Sequence, residues 1–485
     1  MRQRLVVVGG DAAAMSAASA ARRLRGPDDL EIVAFERGSY TSYSACGIPY
    51  FIGNVVGDLD ALIARTPEQF AHDHAIEARV RHEVMAIDLD RRAVLARDLA
   101  TGVETWEAFD QLMIATGAVP IRPPLPGIDA AGIFGVQTLD DGLAVRAALE
   151  AEPPRRAVVV GAGYIGLELA EALCARGIPV TVIQRGRTPM DTLDPDMGGM
   201  LVEAMRRFTM TLRLEETVTG FETDAGRVRA VVTDRGTVPA DLVILGLGVR
   251  PNSELAAAAG IPLGPTGAIA VDQRLRTRVA GVWAAGDCVE KFHRVSRRPV
   301  TIALGTHANK EGRTAGINLG GGYATFPGVL GTTVTKICDV EVGRTGLGEA
   351  EAEAAGFEAV SVSVDSTTRA GYYPGARPIR TKLVAERGSG RLLGAQIVGE
   401  EGAAKRIDVL AAALWHETTV SDLLNVDLSY APPFSPVWDP VLIAARKAWQ
   451  RVESDRRSPE PTDDTKPSRC SGRVPLPRPA RSAPG

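Results

Sequence analysis

The sequence predicts an α/β fold: two Rossmann-like nucleotide-binding domains followed by a C-terminal α+β domain. Three observations predict it. A glycine turn between a buried strand and a helix occurs near the N-terminus and returns 152 positions later. Beyond about Phe326 the pattern changes to alternating strand segments followed by a helix. With 485 residues, the chain is too long for one hydrophobic core and has room for about three ordinary domains.

The elements follow in order. Leu5 to Val8 reads as a buried strand running into Gly9 and Gly10, then an Ala-rich helix to about Arg25 and a strand from Leu30 to Glu36. The same β-α-β pattern returns with the strand Ala157 to Val160, a helix to about Arg176 and the strand Pro179 to Gln184. Between them, Gln111 to Gly117 reads as a strand entering a turn, and the Pro-rich stretch Val119 to Gly127 as a linker. Asp241 to Gly248 and Gly281 to Asp287 read as further buried strands with glycine exits. In the last third, Thr332 to Ile337, Ala359 to Val364 and Ile379 to Val384 alternate like strands, and Lys405 to Trp415 is helical. From Arg451 the chain is rich in Pro, Arg, Ser and Asp, and residues 451–485 are expected to be a disordered tail.

Composition narrows the function. Apolar residues make up 45% and charged residues 24%, ordinary values for a globular chain. The net charge of -4, with basic residues scattered, argues against a nucleic-acid partner. Cys46, Cys174, Cys288, Cys338 and Cys470 show no metal-ligand spacing, so no metal site is expected. An odd, sparse cysteine set fits a reducing compartment, hence a cytoplasmic protein. No apolar run reaches the length of a membrane span, and the N-terminal run is too short for a signal peptide.

The motifs carry the chemistry. In Gly161-Ala-Gly163-Tyr164-Ile165-Gly166 the first glycine makes the turn, the second admits a pyrophosphate, and the third lets helix and strand pack closely. An NAD-selective site usually ends the next strand with an acid; here Gln184 is followed by Arg185 and Arg187. Arginine pairs with a 2′-phosphate, so NADPH is expected ahead of NADH. The first turn lacks the middle glycine and places Ala13 and Ala14 where the helix begins. Glu36 ends the next strand, beside Arg37, and can take ribose hydroxyls. With Ala115-Thr116-Gly117 and Gly286-Asp287 downstream, this is an expected FAD site, Asp287 holding the ribityl chain, and Gly248 is a further cofactor-binding candidate. Cys46, in Thr41 to Gly53, precedes a short helix whose amide dipoles are expected to favour its thiolate.

Together these residues resemble the pyridine nucleotide-disulfide oxidoreductases, and more narrowly the single-cysteine branch of coenzyme A-disulfide reductases, NADH oxidases and persulfide reductases. The most specific pieces are Ser42-Tyr-Ser-Ala-Cys46-Gly-Ile-Pro-Tyr50 and Tyr430-Ala-Pro-Pro-Phe-Ser435. Dithiol members carry cysteines five positions apart; here Thr41 and Phe51 stand at those places. The dithiol members' late His-Pro-Thr is also missing, with His416 standing in Trp-His-Glu-Thr.

The resemblance implies an FAD-binding domain over 1–118 and 278–325, an NAD(P)H-binding domain over 119–277 and a dimerisation domain over 326–450. It places Cys46 beside the flavin, with Tyr372 and Tyr430 arriving from the other subunit of a homodimer. It implies that Cys46 reduces a low-molecular-weight disulfide, most of all coenzyme A disulfide. Ser16, Arg23, Ser42 and His307 match positions that grip the substrate, while Ala20, Ala45, His74 and Trp438 stand where some members carry a polar or basic gripping residue. Two readings remain open beside it: an NADH oxidase, peroxidase or persulfide reductase working through a Cys46 sulfenate or persulfide, and a flavin redox sensor or electron-transfer partner. In NADH oxidases a histidine often follows the first glycines; Asp11 stands there instead.

Overall fold

The computed structural model describes residues 2–208 and 210–457. Two parallel sheets form its nucleotide-binding part. The first orders its five strands Val282–Ala284, Gln111–Ile114, Gln3–Val8, Leu30–Glu36 and Glu77–Val80. The second orders Thr211–Leu214, Val180–Gln184, Ala157–Val160, Leu242–Leu245 and Ile133–Phe134. Their central strands are apolar on both faces because helices cover one face and an antiparallel meander covers the other. The third sheet has five antiparallel strands: Thr333–Ile337, Val340–Gly346, Leu392–Gly399, Pro378–Glu386 and Ala359–Thr367. The helices Ile407–Trp415 and Pro440–Arg457 pack on it.

Several expectations change. The Pro-rich stretch is not a plain linker: Ala118–Pro120 pairs antiparallel with Val249–Pro251. Two antiparallel meanders, over 82–108 and 218–239, were not foreseen from the sequence. The final helix runs through Arg451 to Arg457, so the tail expected from Arg451 begins in regular structure. Residues 458–485 lie outside the described residues, as does Cys470.

The Ala12–Leu24 helix lies against the Gly305–Leu319 helix at backbone distance. A Cβ on Gly312 would sit 2.3 Å from the Ala13 carbonyl oxygen, and one on Gly316 would sit 2.2 Å from that of Ala17. This contact ties residues 305–319 to the first glycine turn. A different device ties the second glycine-turn region to the C-terminal sheet. Lys382 Nζ, on a side chain only 4% exposed, meets Asp196 at 2.6 Å, Asp194 at 3.0 Å and Glu349 at 3.0 Å. Burial works against the ammonium here, but the bonds to Asp196, Glu349 and Asp194 raise its pKa. Removing one partner of a buried charge group leaves the others uncompensated. Lys382→Met is therefore expected to lower unfolding stability by about 3 kcal/mol in denaturant titrations; a loss below about 1 kcal/mol contradicts this account.

Candidate active site

The second glycine turn shows how sequence becomes geometry. Gly161 has φ +99°, and a Cβ there would sit 2.3 Å from the Gly246 carbonyl oxygen. A Cβ on Gly166 would sit 2.2 Å from the Gly161 carbonyl oxygen, so the helix Tyr164–Ala175 can approach the strand only without a side chain there. Around Gly163 a Cβ would meet nothing within 4 Å, which leaves open space beside the backbone for a phosphate. At the first turn Gly9 crosses Ala115, with a Cβ 2.3 Å from its carbonyl oxygen, and Gly10 lies on Glu36. Ala14 is buried in the helix that follows.

Both turns open into one cleft of about 2490 Å³. Gly9, Gly10, Ala13, Glu36, Arg37 and Ser42 line it from the first β-α-β unit and the loop after it, with Thr116 and Gly117 beyond. Gly163, Tyr164, Ile165 and Gly248 line it from the second, and Gly286 and Asp287 close it. Cys46 lies in the same cleft, in the 3-10 turn Ala45–Gly47 that leads into the short helix Ile48–Ile52. It is the only cysteine lining the cleft among the described residues. The cleft fits a flavin nucleotide. Asp287 Oδ1 is buried with no hydrogen-bond partner, an acceptor left for a hydroxyl.

Other expected residues stand elsewhere. Gln184 is 7% exposed; its Oε1 accepts from Ala162 N at 3.1 Å and its Nε2 donates to Asp191 at 2.8 Å. It braces the glycine turn instead of presenting its amide to a ribose. Arg185 and Arg187 are exposed, Arg187 lying 3.3 Å from Glu215. His307 is 8% exposed, and burial together with Lys291 pushes its pKa down to about 4. His307 does not line the cleft that holds Cys46, and its Nδ1 is buried without a hydrogen-bond partner. Ser16 Oγ donates to Asn309 at 2.8 Å, and Arg23 is exposed outside the cleft. Of the expected substrate residues, only Ser42 shares the cleft with Cys46. Tyr372 and Tyr430 lie outside this cleft of the single chain, 79% and 46% exposed. They hydrogen-bond to each other, which raises the Tyr430 phenol above its ordinary range.

The electrostatics correct a further expectation. Solvent reaches Cys46 through the open cleft, yet the protein atoms packed around its thiol push its pKa up, and the Glu168 carboxylate adds to this, followed by Asp11 and Asp287. The dipole of one 3-10 turn and a five-residue helix is outweighed. Glu168 lies two residues beyond Gly166 and accepts from Thr335 Oγ1 of the C-terminal sheet at 2.6 Å. Asp11 does not cap its own helix; its Oδ1 accepts from Tyr43 N at 3.2 Å, in the loop that carries Cys46. Burial pushes Asp11 up to about 6 against the pull of that bond. Sequence reasoning gave Glu168 no role; its place on the face of the glycine-turn helix that meets the third sheet was the available signal.

Two parallel-sheet nucleotide sites, a single cleft cysteine and an antiparallel C-terminal domain define a two-nucleotide flavoprotein reductase. The pyridine nucleotide-disulphide oxidoreductase family matches residues 3–312, and its dimerisation domain matches residues 332–440. The chain belongs to this family, which depends on FAD and uses NAD(P)H. It is an enzyme and an oxidoreductase. Over 447 residues it is 40% identical to an NAD(P)H sulfur oxidoreductase (CoA-dependent) of Pyrococcus abyssi, covering 92% of this chain and 98% of the relative. A coenzyme A disulfide reductase of Staphylococcus epidermidis is 31% identical over 92% of this chain and 99% of its own. The solved NAD-dependent persulfide reductase from A. fulgidus superposes with TM-score 0.90 at 38% identity, covering 93% of this chain and 84% of that one. Among the described residues, no helix is long and apolar enough to cross a membrane.

The Cys46 environment yields a direct measurement. Peptide mass spectrometry after iodoacetamide treatment of the reduced enzyme is expected to show Cys46 alkylation still accelerating beyond pH 9. Glu168→Gln removes a neighbouring negative charge and is expected to move that profile to lower pH. An unmoved profile would contradict the assignment of Glu168.

Proposed function

We propose that this chain is a homodimeric reductase that takes electrons from NADPH through FAD to Cys46 and reduces a low-molecular-weight disulfide, most of all coenzyme A disulfide. The observation that carries the reading is the single cysteine in the cleft shared by both nucleotide turns. Glu36, Thr116, Gly117 and Asp287 would hold FAD, with Gly9 and Gly10 under its pyrophosphate. Gly163 and the helix N-terminus at Tyr164 would take the nicotinamide nucleotide, with Arg185 and Arg187 near its 2′-phosphate. Bound FAD supplies the two-electron relay between nicotinamide and sulfur.

The chain's own residues handle sulfur and protons. The Cys46 thiolate attacks one sulfur of the disulfide; the S–S bond breaks, one thiol leaves, and a mixed disulfide remains on Cys46. Two electrons then break that second S–S bond, restoring the Cys46 thiolate and releasing the second thiol. Tyr372 and Tyr430 of the partner chain would donate the proton each leaving sulfur needs. Their exposure in the single chain and their lack of contact with its own cleft support a role across the dimer. A second reading has Cys46 accept a persulfide; it is supported by the relatives named for sulfur and persulfide reduction.

Cys46→Ser is expected to abolish disulfide and persulfide reduction while FAD content and slow NAD(P)H oxidation with artificial dyes persist. Full disulfide turnover in that variant sinks the proposal. Mass spectrometry of the untreated enzyme is expected to show a reducible coenzyme A adduct on Cys46; an extra sulfur there favours the persulfide reading.

Nucleotide preference has its own test. Arg185→Glu is expected to shift the ratio of kcat/KM for NADPH over NADH by about tenfold or more toward NADH. An unchanged ratio removes Arg185 from the 2′-phosphate site.

A further inference from the structure

The turn that presents Asp287 is held by a buried ion pair that the reaction itself does not use. Lys291 Nζ donates to the Gly286 carbonyl oxygen at 2.8 Å, and the Gly286 N–H donates to Glu311 Oε2 at 2.9 Å. The two charged ends lie 3.6 Å apart, and each side chain is 1% exposed. Both peptide groups of one glycine are thus gripped by opposite members of one pair. Glu311 sits on the Gly305–Leu319 helix, one residue before Gly312, where that helix meets Ala13 of the first glycine turn. The pair therefore joins the three segments that meet at the cleft floor.

We infer that Lys291 and Glu311 are positioning residues for the flavin: together they fix the Gly286–Asp287 turn and set the charge behind it. A buried ion pair contributes little net stability compared with apolar packing of similar size, so its presence calls for another reason. Here that reason is geometric, because Asp287 offers an unpartnered Oδ1 to the cleft while both peptide groups of the Gly286 before it are held. The charged and titratable groups facing the pair include Asp287, Cys288 and His307. Burial raises Asp287 and Lys291 opposes it; burial lowers His307 and Lys291 adds to it. Burial likewise raises Glu311, against the pull of Lys291 and the Gly286 N–H. Burial is the larger influence on each, and Lys291 is the charge they share.

This inference rests on the flavin lying against Asp287, and the test separates the two ideas. It uses purified holoenzyme and reads FAD release after dilution, the visible flavin spectrum and the flavin midpoint potential, with thermal unfolding alongside. Lys291→Met removes the cation and its bond to Gly286, and FAD release is expected to quicken about tenfold or more. Glu311→Gln keeps an acceptor for the Gly286 N–H but leaves the lysine charge less balanced. It is expected to retain FAD within about threefold and to raise the midpoint potential, since added positive charge favours the reduced flavin. If Lys291→Met does not fold, the potential of Glu311→Gln decides the matter. Asp287→Ala tests the placement: unchanged FAD release in that variant overturns the flavin's position. Faster release in Asp287→Ala, with both pair variants matching the parent in release, spectrum and potential, overturns the positioning role. A fall in unfolding temperature alone in the pair variants counts as packing and overturns it too.

Discussion

The cleft depends on a close approach between two helices nearly 300 residues apart in sequence, Ala12–Leu24 and Gly305–Leu319. Gly312 and Gly316 bring one backbone against the carbonyls of Ala13 and Ala17, and Gly320 fits over Leu24. Any side chain on that stripe would push the helices apart, because the obstructing atoms are backbone and cannot turn aside. The approach fixes where the Gly286–Asp287 turn stands relative to Gly9 and Gly10; a Cβ on Gly286 would already lie 2.9 Å from that of Ala13. The nucleotide site is therefore assembled by backbone contact first and by polar side chains second.

Within that frame, the polar groups fall into two kinds. Some are spent internally: Gln184 on Ala162 and Asp191, Glu311 and Lys291 on Gly286, Glu168 on Thr335. Others are left open to the cleft, Asp287 Oδ1 above all. Buried polar atoms are nearly always paired, so an unpaired one that lines the cleft offers a place for a ligand. Position separates Ser42, which lines the cleft, from His307, which is buried outside it.

Much of this was legible in the sequence. The strands Leu30–Glu36 and Ala157–Val160 and both glycine turns follow from apolar runs that stop at glycine, a local signal. The antiparallel C-terminal sheet followed from alternation, and the lone cleft cysteine from Thr41 and Phe51. What stayed hidden was non-local. The meander strands Glu104–Ala108 and Gly236–Pro239 are short and largely exposed, so they carry little periodic signal. The Pro-rich stretch gave no sign that Ala118–Pro120 would find Val249–Pro251. The polar tail composition concealed the end of a helix because Val452 is buried on its one apolar face while its neighbours are charged. Gln184 misled because end-of-strand position says where a side chain starts, not what it meets.

At Cys46 the proposed function calls on a second chain. Its thiol is raised by burial and by the Glu168, Asp11 and Asp287 carboxylates, which outweigh the backbone hydrogen bond that lowers it. Meanwhile Tyr372, Phe434, Val437 and Trp438 stand exposed on the domain that the family uses for dimerisation. Such large side chains gain by burial against another surface, at roughly 25 cal/mol per Å² of apolar area. The chain thus leaves two needs open: a cover for this aromatic face and proton-handling groups for Cys46. A second copy that brought Tyr372 and Tyr430 to the cleft would meet both with the same residues.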